Sequence, residues 1–404
     1  MMFKIAFRNI FRQKRRTVLT VLTMLGGFTL SSISIAWSDG SYSRLIDMFT
    51  RNQLGHIQVH AQGYLDRPSL YNTVDNYMQV GDQIGSTPGV VAWAPRVLSA
   101  GLLSIGEKTA GVKVTGIDPE REDATTRFDL KITGGEPLTP ESSKKCLLGE
   151  GLAKTLKADL GDEAVIVSQG ADGSIANDLY EVIGLVSTGD QMTDQRSFYL
   201  TLTDAQELLV LEGRVHEIAV VGVDLDEVDQ LAADLKASIN NSELQVETWR
   251  QVARGFYKAM QADRQGTWIM LFIIVLVVAV GVLNTVLMTV MERRREYGVL
   301  RAIGTAPGQV FRLVLAEVLV LGVISCVLGT MAAFAINYGL SSTGVKMLES
   351  FTYGGVVFDT LYSEINAHSY YIPGLCVIFS AMLVSLYPAA KAARIAPARA
   401  MRIH

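Results

Sequence analysis

Four apolar runs constrain the fold of this chain more than any other feature. They are "TVLTVLTMLGGFTLSSISIAW" (Thr17 to Trp37), "TWIMLFIIVLVVAVGVLNTVLMTVM" (Thr267 to Met291), roughly Leu313 to Tyr338, and roughly Tyr370 to Ala390. Each is near or above the ~20 residues an α-helix needs to cross ~30 Å of hydrocarbon. Backbone polar groups have no water partners there, so helix is the form such runs take. The first run follows basic residues, as a signal peptide does, but a signal's apolar region is ~7–15 residues and ends in a small-residue cleavage site. Here the run is longer and leads into "SDGSYSRLIDMFTRN" without a clear site, which predicts a retained span.

Charge placement orients the spans, because basic residues mark the cytoplasmic side. Lys4, Arg8, Arg12, Lys14, Arg15 and Arg16 precede the first run, and no acid occurs before Asp39. Arg293, Arg294, Arg295 and Arg301 lie between the second and third runs, and Lys391, Arg394, Arg399 and Arg402 follow the fourth. The link from Gly339 to Ser369 holds only Lys346 against Glu349, Asp359 and Glu364. Four spans with both termini inside satisfy all of these segments. The layout is a cytoplasmic amphipathic segment over 1–16, spans over 17–37, 266–291, 309–338 and 370–390, a cytoplasmic elbow over 292–308, a short external link over 339–369 and a tail over 391–404. Residues 38–265 then form a large external domain between helices 1 and 2, long enough for its own core.

That segment predicts an α+β fold. "HIQVHA", "VVAWAPRVLSAGLLSIG", "GVKVTGID", "DLYEVIGLVST" and "RSFYLTL" read as strands, and "DAQELLVL" and "EVDQLAADLKASI" carry helical spacing. "CLLGEGLAKTLKADLGDEAVIVSQ" reads as strand, short helix, turn at Gly161 and strand. "SYSRLIDMFTRN" and the chain from Gln251 onward extend the first two spans as helical stalks, which can pass on a movement that a loose linker would absorb.

The residues exclude several chemistries. Neither G-x-x-x-x-G-K-[ST], G-x-G-x-x-G, H-E-x-x-H nor G-x-S-x-G occurs. A net charge of -4 gives no footing for nucleic acid. His56 and His60 are the one close histidine pair and have no third ligand nearby, so no metal site is expected. Cys146, Cys326 and Cys376 show no pairing pattern and read as small apolar side chains. Within the spans Asn284 and Glu317 are the polar exceptions. Glu317 reads either as a contact to a partner or the basic elbow, or as a headgroup-level carboxylate neutralised by Arg312 or Arg301. Gly26, Gly27, Gly281, Gly322 and Gly329 mark faces where helices approach closely, within one subunit or between two.

"MERRREYGVLRAIGTAPGQVFRLVLAEVLVLGVISCVLG" resembles the signature region of FtsX/MacB-like permeases, subunits of ABC transporters. The matching positions are Glu292, Arg293, Arg294, Glu296, Gly298, Arg301, Ala302, Gly304 and Glu317. The ends match as well, at Arg8, Asn9, Arg12 and Arg16 and at Pro388, Ala389, Ala392, Pro397 and Ala400. "VKVTGIDPERED" and the stretch from Cys146 to Val167 are similar to the lipoprotein-releasing permeases. The resemblance implies a type VII, MacB-like architecture in a bacterial inner membrane, with a periplasmic domain and a coupling helix over 292–308. It implies that Glu292, Arg293, Arg294, Glu296, Gly298, Val299, Leu300, Arg301, Ile303 and Gly304 dock on a separate ATPase dimer, which would bind the ATP and magnesium, this chain binding no cofactor and being no enzyme. Only about sixteen residues precede the first span, which is why the ATPase is expected on another chain. A second permease copy (identical or different), a lipoprotein substrate and a periplasmic carrier or adaptor complete the expectation. Efflux of peptides, drugs or lipids in the MacB manner, or an FtsX-like relay to a periplasmic enzyme, are the alternatives.

Overall fold

The computed structural model describes residues 14–353 and 356–396, and the side chains of these outside 348–359. The expectations placed on Lys4, Arg8, Asn9, Arg12, Pro397, Arg399, Ala400 and Arg402 lie outside the described residues. The chain divides into two compact units. One comprises residues 1–42, 260–346 and 360–404, the other residues 43–259 and 347–359.

The first unit holds the apolar runs. Among the described residues, four helices are long and apolar enough to cross a membrane. They are α1 (Lys14–Phe49), which ends in a π turn over Thr50–Leu54, and the later helices Arg254–Glu292, Pro307–Thr343 and His368–Ala393. Each contains its predicted run and exceeds it. Valines 278, 282, 286 and 290 recur every fourth position on the second helix, and Val310, Val314 and Val318 do so on the third. One face of each helix therefore points inward, onto a core with Met24, Phe28, Val377 and Ala381. Glycine sets the spacing: a Cβ on Gly27 would fall 2.0 Å from Val278 Cγ2, and one on Gly329 2.7 Å from the Phe28 ring. A Cβ on Gly281 would fall 2.8 Å from Thr23 Cγ2, whereas one on Gly322 would make an ordinary contact of 3.4 Å with Ile378, and Gly26 meets nothing within 4 Å. Between the third and fourth helices, where sequence predicts only a short link, two strands (Val345–Tyr353 and Val356–Leu361) pair with each other.

The second unit is α+β. Its helices are α2 (Tyr77–Ser86), α3 (Pro119–Thr126), α4 (Glu150–Leu156), α5 (Gln191–Asp194), α6 (Leu202–Leu209), α7 (Val228–Ile239) and α8 (Trp249–Val252). Its strands are β1 (Ile57–Ala61), β2 (Val74–Asp75), β3 (Val90–Ile105), β4 (Lys108–Ile117), β5 (Ile132–Gly135), β6 (Lys145–Gly149), β7 (Glu163–Gln169), β8 (Ile175–Val186), β9 (Ser197–Thr201), β10 (Arg214–Val215), β11 (Glu217–Gly222) and β12 (Leu244–Thr248). The main sheet runs β12-β1-β11-β3-β4-β9-β6-β8-β5. Strand β3 organises it: Val90–Arg96 pair with β11, Arg96–Ile105 with β4, and Leu102–Ser104 also with β7. Local chemistry punctuates the elements, at Gly161 as the sequence predicts and at Asp118 with a helix start where the sequence predicts only a turn. Asp118 caps α3 ahead of Pro119 by accepting from the Arg121 amide at 3.2 Å, and Gly161 turns with φ +89° before β7. With α9 assigned to Arg254–Glu292, its first turns stack on the end of α1 through Phe256 and Phe49, ring centroids 4.0 Å apart.

Candidate functional site

The elbow between α9 and the third long helix is built by three local devices. Arg293, at φ -87° and ψ 13°, interrupts α9, and a nine-residue helix, α10 (Arg294–Ala302), follows. Gly304 then adopts φ +99°, a conformation that disfavours side chains. Helix α11 (Pro307–Thr343) restarts with Pro307 in its first turn, and Gln309 reaches back to accept from the Ala306 amide at 3.0 Å. The remaining long helix, His368–Ala393, is α12, and α10 packs against it. The helix at the elbow spans Arg294–Ala302, within the segment 292–308 for which a coupling helix is expected.

One buried ion pair fixes the elbow. Arg293 donates from Nη1 to both oxygens of Glu317 on α11, at 3.0 and 2.9 Å, and from Nε to Glu296 at 2.9 Å. The side chains of Arg293 and Glu317 are only 10% and 11% exposed, and the guanidinium lies 5.2 Å over the Tyr297 ring. Burial by itself pulls the guanidinium pKa down, but Glu317, Tyr297 and Glu296 together more than offset it, so the arginine stays charged. Burial, then the charge on Glu317, pushes the Tyr297 hydroxyl well above its ordinary value. Glu317 thus meets Arg293, a residue of the basic elbow, as one of its two sequence readings expected. Arg301 donates from Nη1 to the Thr305 carbonyl at 3.2 Å and so closes the end of α10.

The structure divides the predicted coupling residues by direction. Tyr297 and Gly298 are buried, and Leu300 packs on the core of the spans. Glu292 pairs with Arg16 of α1, and Glu296 with Arg293. Arg294, Arg295, Ala302 and Gly304 are exposed, as are Val299 and Ile303 at 46% and 75%. The outward face is therefore two arginines beside two aliphatic side chains. Arg295 carries no role in the sequence reading beyond its charge. Asn284 is exposed on α9, flanked by exposed Val280 and Met288.

Two charged clusters escaped sequence reasoning because their members are far apart in the chain. At the other end of the long helices, Asp39 of α1 accepts from His368 of α12 at 2.6 Å and pairs with Arg264 of α9 at 3.5 Å. Tyr42 also donates to Asp263. In the second unit, Arg96 meets Glu122 through two bonds, at 2.9 and 2.6 Å, and Glu217 at 2.9 Å. His56 and His60 act separately. His56 accepts from the Gly222 amide at 3.1 Å, and His60 lies 3.1 Å from Glu247. The three cysteines are free; Cys146 is fully buried and the other two partly so.

Comparison with known proteins agrees with this division of the chain. Residues 17–238 match the MacB-like periplasmic core domain, and residues 268–397 match the FtsX-like permease C-terminal region. The chain belongs to the MacB-like periplasmic core domain family. Its C-terminal part is similar to the FtsX-like permeases. The lipoprotein-releasing system transmembrane protein LolC of Neisseria meningitidis is 23% identical over 98% of both chains. LolE of Haemophilus influenzae, from the same kind of system, is 23% identical over 82% of both. The macrolide export ATP-binding/permease protein MacB of Campylobacter jejuni is 23% identical over 99% of this chain and 61% of its own length. These matches support the ABC-permease reading reached from "MERRREYGVLRAIG", and the core domain match supports the α+β segment inserted after the first span.

Proposed function

We propose that this chain is the membrane subunit of an ATP-driven transporter that releases lipoproteins from the inner membrane towards the outer membrane. The observation that carries this reading is the elbow. A short helix is locked to the spans by Arg293 and Glu317 and presents Arg294, Arg295, Val299 and Ile303 outward. A force applied to that face passes into α11 without loss in a flexible joint. ATP and magnesium bind on a separate ATPase dimer, and both termini and the elbow face the cytoplasm. The exposed Asn284 amide, costly in lipid, faces a second permease copy. The near-complete match to LolC, a transmembrane protein of a lipoprotein-releasing system, supports lipoprotein as substrate, and the proposal adds a periplasmic carrier or adaptor as recipient. The match to MacB over almost the whole chain favours export through an adaptor as the second reading.

Apolar anchors dominate interfaces, so the Val299→Ala/Ile303→Ala pair is expected to weaken retention of the ATPase by the full-length chain about tenfold or more. Arg294→Ala/Arg295→Ala is expected to act more weakly and in a salt-dependent way. Unchanged ATPase retention in the aliphatic pair would remove the elbow as the docking face.

A further inference from the structure

The outer end of α1 is held in an unusual way. Its π turn closes when the Gly55 amide donates to the Thr50 carbonyl at 2.7 Å, and the last carbonyls of any helix lack partners within the helix. Here three successive ones receive side-chain donors from three different elements of the core domain. Lys131, in the 3-10 turn Phe128–Lys131, donates to the Asn52 carbonyl. Arg96 on β3 donates to the Gln53 carbonyl. Gln58 on β1 donates from Nε2 to the Leu54 carbonyl at 3.0 Å. Asn52 returns a bond of 2.9 Å to the Thr188 carbonyl. All these residues lie within one compact unit.

The donors are buried: Gln58 is 2% exposed, Arg96 6% and Lys131 9%. Arg96 is held on its other edges by Glu122 of α3 and Glu217 of β11. Burying two cations and two carboxylates costs more than it returns in stability, and apolar side chains of similar volume would hold a domain together as well or better. The cost is visible at Lys131, whose ammonium is pulled down to about 8 by burial, partly countered by Glu122. What charged, directional donors supply is a fixed rotation and register for the helix end. Two cations at a helix C-terminus also suit its dipole.

We propose that Arg96, Lys131 and Gln58 are positioning residues that clamp the last carbonyls of the first stalk, so that the stalk end and the core domain move as one body. The proposal rests on the reading of the chain as a transmitter of ATPase motion. It predicts that the joint stays rigid while the transporter works and that displacement arises elsewhere.

The test uses the full-length chain with its ATPase in nanodiscs, with Cys146, Cys326 and Cys376 replaced by alanine. Spin labels sit on Met48→Cys in the stalk and Ile175→Cys in the core domain, and labelled chain is diluted with unlabelled so that only distances within a chain are read. With the clamp intact, one narrow distance peak is expected, unchanged on adding ATP and vanadate. Lys131→Met and Gln58→Leu together are expected to roughly double its width, because the helix end loses two of its three donors. Arg96→Lys, which keeps the charge but loses the forked geometry, is expected to broaden it less. Basal ATPase should stay within about twofold in all three, since a joint defect leaves hydrolysis intact. A peak that moves with nucleotide while the clamp is intact overturns the proposal, and so does a peak that stays narrow in the double variant. A chain that leaves the ATPase rate untouched when added to it contradicts the transporter reading instead, and the width of the peak is independent of that result.

Discussion

Arg293 shows how much one side chain contributes at this elbow. It joins Glu296 of its own turn to Glu317 of the next long helix, and both it and Glu317 are nearly buried. Arg293→Met would strand the Glu317 carboxylate, an error that costs about 3–5 kcal/mol when a buried pair is broken. We therefore expect a clear fall in the unfolding temperature of the detergent-solubilised chain, largely restored in Arg293→Met/Glu317→Leu. A single variant as stable as the parent would show that the pair is solvated. Sequence marked Glu317 as an exception and offered the basic elbow as one partner, beside neutralisation by Arg312 or Arg301, without singling out Arg293. The interruption of α9 at position 293 brings that arginine to α11, and no periodicity reveals it. His56 carries a pH prediction. Burial, reinforced by Arg51, holds its pKa at about 4, against 6.5 for a free histidine. The folded state thus binds fewer protons than the unfolded chain between those values. The stability is fully present above about pH 6.5 and is lost as pH falls through 4, by up to about 3 kcal/mol. Denaturant unfolding from pH 7 to 4.5 should show this slope, and His56→Leu should flatten it; parallel curves would contradict the assignment.

At the scale of elements, the long helices were legible because each apolar run exceeds what a soluble domain needs, and their faces follow a four-residue valine spacing. The glycines were legible only as a class. The structure separates Gly27, Gly281, Gly322 and Gly329, which meet neighbouring helices of the same chain, from Gly26, which does not. Strands β3 and β4 could be read from composition, but the sheet order could not, because β4 pairs in parallel with β9 across eighty residues of chain. The paired strands before α12 gave no clear signal in their polar, mixed sequence. On α9, Asn284 is a polar group exposed between apolar neighbours. If it meets a second copy, Asn284→Leu should weaken the permease pair in the membrane by about 0.6–2 kcal/mol, read as a shift in the concentration dependence of energy transfer between labelled copies. An unchanged association curve would place that face against lipid.

At the scale of the whole molecule, four helices among the described residues are long and apolar enough to cross a membrane, a MacB-like core domain matches residues 17–238, and α1 and α9 continue past their apolar runs. The four long helices were legible from run length, which acts locally. The buried cluster at Arg96 and the half-exposed one at Asp39 were not, since each draws in a partner more than a hundred residues away, Glu217 for Arg96 and His368 for Asp39. In the proposed cycle, work enters at Val299 and Ile303, crosses the Arg293–Glu317 pair and leaves through α1 and α9. The most direct measurement is the number of triacylated lipoprotein molecules passed to a soluble acceptor per ATP hydrolysed, in proteoliposomes holding the chain and its ATPase. The account predicts ATP-dependent release by the parent chain. It predicts that Arg293→Met/Glu317→Leu still hydrolyses ATP but releases about tenfold less per ATP, since about 1.4 kcal/mol of lost coupling is a tenfold effect. Equal release per ATP in the two proteins, or release by neither, would contradict it.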